Sequence, residues 1–157
     1  MPNPLPPMPA PMTSQSQADF NANWDRQVGC SNQFEPAVSA AVWADMQASD
    51  PVGATWGPGV RRAPAVPTWG FNQAEVGRLQ IPFLMVTSLH DKQVDSERVR
   101  ELYADVGSRQ KVILEMACAS HNAMWERDHL VLFKASLDWL KDGKVDGVAT
   151  GVVKHGP

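Results

Sequence analysis

Hydrophobic positions are organised differently on the two sides of Gln80. Beyond it, Phe83-Leu84-Met85-Val86-Thr87 is a short unbroken apolar run of the kind found in strands buried on both faces. Val99, Leu102, Tyr103 and Val106 then recur at helical spacing behind Asp95 and Ser96, which are plausible helix caps, and Gly107 stands where such a helix would stop. Lys111-Val112-Ile113-Leu114-Glu115-Met116 predicts a second strand. Strand, helix and strand in this order make a βαβ unit, whose right-handed crossover leaves the two strands parallel with their C-terminal ends on one edge. A closing helix is predicted from about Trp125 to Lys141, with Leu130, Phe133, Leu137 and Leu140 as the apolar stripe that packs on the sheet. The pattern is that of an α/β protein.

Before Gln80 the pattern is interrupted by proline and glycine. Pro2, Pro4, Pro6, Pro7, Pro9 and Pro11 exclude helix and central strand from the opening. Phe20, Trp24 and Val28 within 17–28, and Val38, Val42, Trp43 and Met46 within 35–48, predict two short amphipathic helices. The stretch 50–70 reads as a long loop carrying Trp56 and Trp69, and 71–80 as one more short helix before Pro82. Three regions are expected: a Pro/Trp-rich helical part at 1–80, an α/β core segment at 81–143 and a flexible tail at 144–157.

Composition narrows the function classes. The 157 residues carry 14 basic and 17 acidic side chains, a net charge of −3 that offers no attraction to phosphate backbones or anionic lipid, so neither nucleic acid nor membrane is an expected partner. No apolar run approaches the roughly 20 residues that span a bilayer, and the first basic residue is Arg26, so no signal-peptide start is read and the expected location is cytoplasmic. Cys30 and Cys118 are too few and too far apart for a disulfide framework or a structural zinc site, and are expected to be buried free thiols. Four histidines without short paired spacing give no metal site, and no cofactor is implied.

Candidate chemistry sits at the predicted strand ends, where open α/β sheets bind ligands. Asp91 follows the first strand by a short loop, and His121 follows the second through Ala117-Cys118-Ala119-Ser120. On adjacent parallel strand ends the two can come within hydrogen-bond reach, the carboxylate fixing the imidazole tautomer and stabilising the imidazolium. An aspartate in such a loop is more often a turn former or a helix cap, and a lone histidine is more often structural; the pair of positions is what favours chemistry. His90 is read as orienting the loop, and His129 and His155 as surface residues. Cys118 lies close to a buried strand end, where thiols are commonly inert. Trp56, Trp69, Met124 and Trp125 are candidates to line an apolar substrate pocket, and Arg61-Arg62 reads as a solvated pair.

The stretch IPFLMVTSLHDKQVDSERVRELYADVGSRQKVILEMACASHNAMW resembles the closing segment of the α/β-hydrolase family, with a strand after Ile-Pro, a turn with His-Asp, and Ser-His after the next strand. The resemblance covers Ile81 to about Gly143 and implies that Asp91 is the acid and His121 the general base of a triad. It also implies that the preceding Trp-rich region is similar to the cap inserted between the halves of such enzymes, and that the substrate is a small ester or related acyl compound. The family's nucleophile stands in a Gly-x-Ser-x-Gly elbow upstream of the cap, and no serine of this chain has glycine two positions before and two after. The expectation is therefore the C-terminal part of an α/β-hydrolase, inactive alone. Its open sheet edge offers a place for self-association or for pairing with an N-terminal half. The competing expectation is a non-catalytic interaction module that uses the Trp-rich surface and the open edge.

Overall fold

A computed structural model describes residues 12–62 and 73–156, which divide into two compact units. The first comprises 12–25 and 36–62. In it β1 (Thr13–Gln15) pairs antiparallel with β2 (Val60–Arg62), Thr13 opposite Arg62. Helix α1 (Gln17–Asp25) starts on a reciprocal cap: Ser16 Oγ accepts the Asp19 N–H at 3.1 Å while Asp19 Oδ2 accepts from Ser16 Oγ at 2.6 Å and Ser16 N at 3.3 Å. Its Phe20 and Trp24 are buried with Val42 and Trp43 of α2 (Val38–Ser49), the Phe20 ring lying 5.6 Å from Trp24 and 5.4 Å from Trp43. The apolar spacing thus predicts both helices, although α1 stops short of Val28, which is exposed. Asp50 ends α2 and caps α3 (Pro51–Ala54) by accepting from Gly53 N at 2.7 Å. Where a loop is predicted over 50–70, α3 and β2 therefore occupy part of the span. The predicted opening 1–11 lies outside the described residues, as do 63–72 with Trp69.

The second unit comprises Arg26–Glu35 and 73–156. After α4 (Gln73–Val76) come β3 (Phe83–Ser88), α5 (Ser96–Asp105), β4 (Lys111–Met116), a 3-10 turn at Ala123–Trp125, α6 (His129–Asp142) and β5 (Gly151–His155). The strands form a wholly parallel sheet in the order β3-β4-β5, with Phe83 opposite Lys111 and Val112 opposite Gly151. Because β4 is central, both its faces are covered, and its middle residues Val112, Ile113 and Leu114 are apolar and buried. Val112, Leu114 and Met116 face Ala135, Val145 and Val153 on one side, and Ile113 faces Val76, Met85 and Val106 on the other. Among the described residues no helix is long and apolar enough to cross a membrane.

Helix ends follow local chemistry. Asp95 caps α5 by accepting from Glu97 N at 2.9 Å. Lys111 Nζ closes its other end by donating to the carbonyls of Tyr103, Ala104 and Val106 at 2.7, 3.2 and 2.7 Å. Gly107 is needed there for a close approach, because a Cβ would stand 1.9 Å from the Gly77 carbonyl oxygen. Gly143 ends α6 at φ 62°.

Three sequence expectations are corrected here. The stripe Leu130, Phe133, Leu137 and Leu140 is exposed, Leu140 at 83%. The face that packs on the sheet is instead Val131, Leu132, Ala135 and Trp139. Both faces of α6 are apolar, so spacing alone picks the wrong one; the face that packs is the one carrying small Ala135, 3% exposed, in the cluster shared with Leu84, Val86, Val112 and Leu114. The stretch expected as a tail holds β5, delivered by a tight turn in which Val145 and Val148 bridge across Asp146 (φ 47°) and Gly147 (φ 83°). The division at Gln80 also misplaces Arg26–Glu35, which belongs with the sheet although it lies inside the expected 1–80 region.

Candidate active site

The turn after β3 is tied by main-chain bonds to the last residue of β4, Leu89 N to Met116 O at 3.1 Å, and to the loop after it, His90 N to Ala119 O at 3.0 Å. This brings the two predicted site residues together. His121 Nδ1 lies 3.0 Å from Asp91 Oδ2. The other carboxylate oxygen, Oδ1, accepts from Gln93 N at 2.7 Å and Val94 N at 2.8 Å. With one oxygen committed to two backbone donors, the Asp91 carboxylate has a fixed orientation and presents Oδ2 as an acceptor. An ionised Asp91 therefore selects the tautomer with hydrogen on Nδ1, leaving the Nε2 lone pair directed away from the pair. The Asp91 side chain is 12% exposed and that of His121 is 43% exposed, so the carboxylate is sheltered and the imidazole is open.

The His121 loop owes its shape to a buried polar network. Glu126, 2% exposed, accepts from Ser120 N at 2.8 Å on Oε2, and from Ser120 Oγ at 2.5 Å and Gln33 Nε2 at 2.8 Å on Oε1. Gln33 also accepts from Gly29 N at 2.8 Å and Cys30 N at 3.2 Å, and donates to the Gln27 carbonyl at 3.1 Å. Two backbone donors on one amide oxygen fix which way that amide is turned. Gln27, 1% exposed, accepts the His121 backbone N–H at 3.2 Å. Arg127 adds a bond from its N to Gln33 O at 2.9 Å and an ion pair with Glu35 at 2.7 Å. Segment Arg26–Glu35 is thus the support beneath the histidine loop.

None of Gln27, Gln33 and Glu126 is singled out by the sequence. Glu126 leaves a weak trace as a carboxylate set just after an apolar turn, whereas the glutamines act across 93 or 94 positions and leave none locally. The expectation of free thiols is also corrected: Cys30 and Cys118 form a disulfide, with Cα atoms 5.8 Å apart. Sequence distance misleads here because Arg26–Glu35 folds back onto the loop that carries Cys118. Cys118 is consequently not a free nucleophile, and Cys30 Sγ lies 3.5 Å from His90 Nε2.

The expected pocket residues that the structure describes fall in different units. Met124 and Trp125 lie on the 3-10 turn just after His121, both largely exposed. Trp56 belongs to the first unit and is exposed, and Trp69 lies outside the described residues. Arg61 and Arg62 are engaged rather than merely solvated: Arg61 donates to the carbonyls of Gly53 and Gly57, and Arg62 to Gln15 Oε1. Among the described residues no cluster of three or more His, Cys, Asp or Glu side chains is placed to hold a metal. No family model, curated protein or solved structure matches this chain.

Proposed function

We propose that Asp91 and His121 are the acid and the general base of an α/β-hydrolase acting on small esters or related acyl compounds, and that the nucleophile is provided outside this chain. The observation that carries this reading is the 3.0 Å contact between His121 Nδ1 and Asp91 Oδ2 at neighbouring C-terminal ends of parallel strands. In that role His121 Nε2 takes the proton of an incoming hydroxyl as it attacks the acyl carbon, returns it to the leaving group, and then activates water. Asp91 holds the ring and stabilises its charged form. The edge of β3 away from β4 carries no strand among the described residues, which supports pairing there with an elbow-bearing half.

Labelling with a fluorophosphonate, read by intact mass, tests the proposal. The chain alone should give no adduct. Fused behind an α/β-hydrolase half with a Gly-x-Ser-x-Gly elbow, it should give one at a rate that His121→Ala lowers on the order of 10³-fold or more. Labelling of the chain alone, or of the fusion regardless of His121, refutes it. A second reading, an interaction module without chemistry, is favoured by the exposed stripe Leu130, Phe133, Leu137 and Leu140 on α6. It predicts partner capture that is lost on changing this stripe and unaffected by His121→Ala.

A further inference from the structure

We propose that the Cys30–Cys118 disulfide is a redox-responsive clamp that holds the histidine loop in its working geometry, and that Cys30 is the thiol released when the clamp opens. The cross-link joins the supporting segment to the loop at a specific place. Cys118 stands three positions before His121, and Cys30 three positions after Gln27, whose side chain accepts the His121 N–H. The other contacts between the two segments are non-covalent, among them the Gln33–Glu126 bond, the bond from Arg127 N to Gln33 O, and the Arg127–Glu35 ion pair. Opening the bond across 88 positions leaves a 3.2 Å contact as the direct hold on the His121 backbone amide.

The surroundings favour exchange at one sulfur. Both cysteines are partly exposed, so a small thiol can approach. His90 Nε2, 3.5 Å from Cys30 Sγ, can donate to that sulfur and stabilise it as a departing thiolate. Its ring fits against the segment because residue 29 is glycine; a Cβ there would stand 2.0 Å from His90 Nδ1. The step is a thiol–disulfide exchange. A reductant thiolate attacks Cys118 Sγ, the S–S bond breaks and Cys30 leaves as the thiolate. A second reductant thiol then displaces Cys118 from the mixed disulfide, so that two electrons and two protons pass to the protein and the reductant ends as its own disulfide. The consequence for catalysis rests on the acid and base roles of Asp91 and His121, but the clamp itself does not.

The full chain, equilibrated in oxidised and in reduced glutathione, tests the clamp by hydrogen exchange, with thiols counted by alkylation and mass. Reduction should yield two alkylated cysteines and speed exchange across 26–35 and 117–127 roughly tenfold or more while β3 and β4 stay protected. Cys30→Ser with Cys118→Ser should reproduce the loosened pattern in either buffer. His90→Gln should slow reduction by roughly fivefold. A disulfide that resists glutathione in the folded chain overturns the proposal. Unchanged exchange after reduction, or global unfolding on reduction, does so as well. No hydrolysis is measured, so an inactive chain leaves this result standing.

Discussion

Removing the Glu126 carboxylate should destabilise the second unit and free the histidine loop, by an amount that follows from its three partners. In Glu126→Ala the donors Ser120 N, Ser120 Oγ and Gln33 Nε2 lose their acceptor, and both residues are buried. The hydroxyl can rotate, which leaves two donors in place without an acceptor, each costing about 1–3 kcal/mol. Removing a buried carboxylate also returns its own desolvation cost, so the net loss should fall at about 2–4 kcal/mol. Glu126→Gln should cost less, about 1–2 kcal/mol, yet it cannot be silent. Its NH2 must face either Ser120 N or Gln33 Nε2, and Gln33 cannot turn to compensate because its oxygen already accepts from Gly29 N and Cys30 N. Urea unfolding by circular dichroism gives the magnitude, and amide exchange locates it. The order wild type, Gln, Ala should hold, with protection lost first at Ser120 and His121. An Ala variant within about 0.5 kcal/mol of wild type, with protection intact at these two amides, would refute the account of the loop.

Other outcomes follow from single contacts. Asp91→Asn keeps an oxygen for Gln93 N and Val94 N but turns an NH2 toward His121, so imidazole ¹⁵N shifts should report hydrogen moving from Nδ1 to Nε2; an unchanged tautomer would remove Asp91 from its orienting role. Leu140→Lys should alter stability by less than about 0.5 kcal/mol, whereas Ala135→Asp should cost about 3 kcal/mol or more, and urea midpoints in the reverse order would restore the outer stripe as the packing face. Hydrogen bonds from Ser16, the side-chain one first, hold Asp19 below its ordinary value of 3.8. A depressed folded-state value means that the capping contribution is present above the ordinary carboxylate range and is lost as pH falls through the depressed one. The first turn of α1 should therefore fray on acidification in an NMR titration, and Ser16→Ala, which leaves only the backbone N–H of residue 16 on Asp19, should weaken that dependence.

The sequence by itself determined the elements whose cause is local. β3, α5 and β4 are legible because an unbroken apolar run, a helical spacing behind an Asp95 cap and a second apolar run each express their structure within about ten residues. Their order then puts Asp91 and His121 at neighbouring strand ends, because a parallel crossover leaves little choice. β5 was within reach as well: Val145-Asp146-Gly147-Val148 carries a tight-turn signature, and the β-branched pair Val152-Val153 follows it. Tertiary structure decided the rest. Which apolar face of α6 turns inward is decided by how the face carrying Ala135 packs into the core cluster of the sheet, since the hydrophobic count along the helix does not distinguish two apolar faces. The disulfide and the Gln27–Gln33–Glu126 network join side chains 88 to 94 positions apart, and contacts of that range exist only once the chain has folded back on itself.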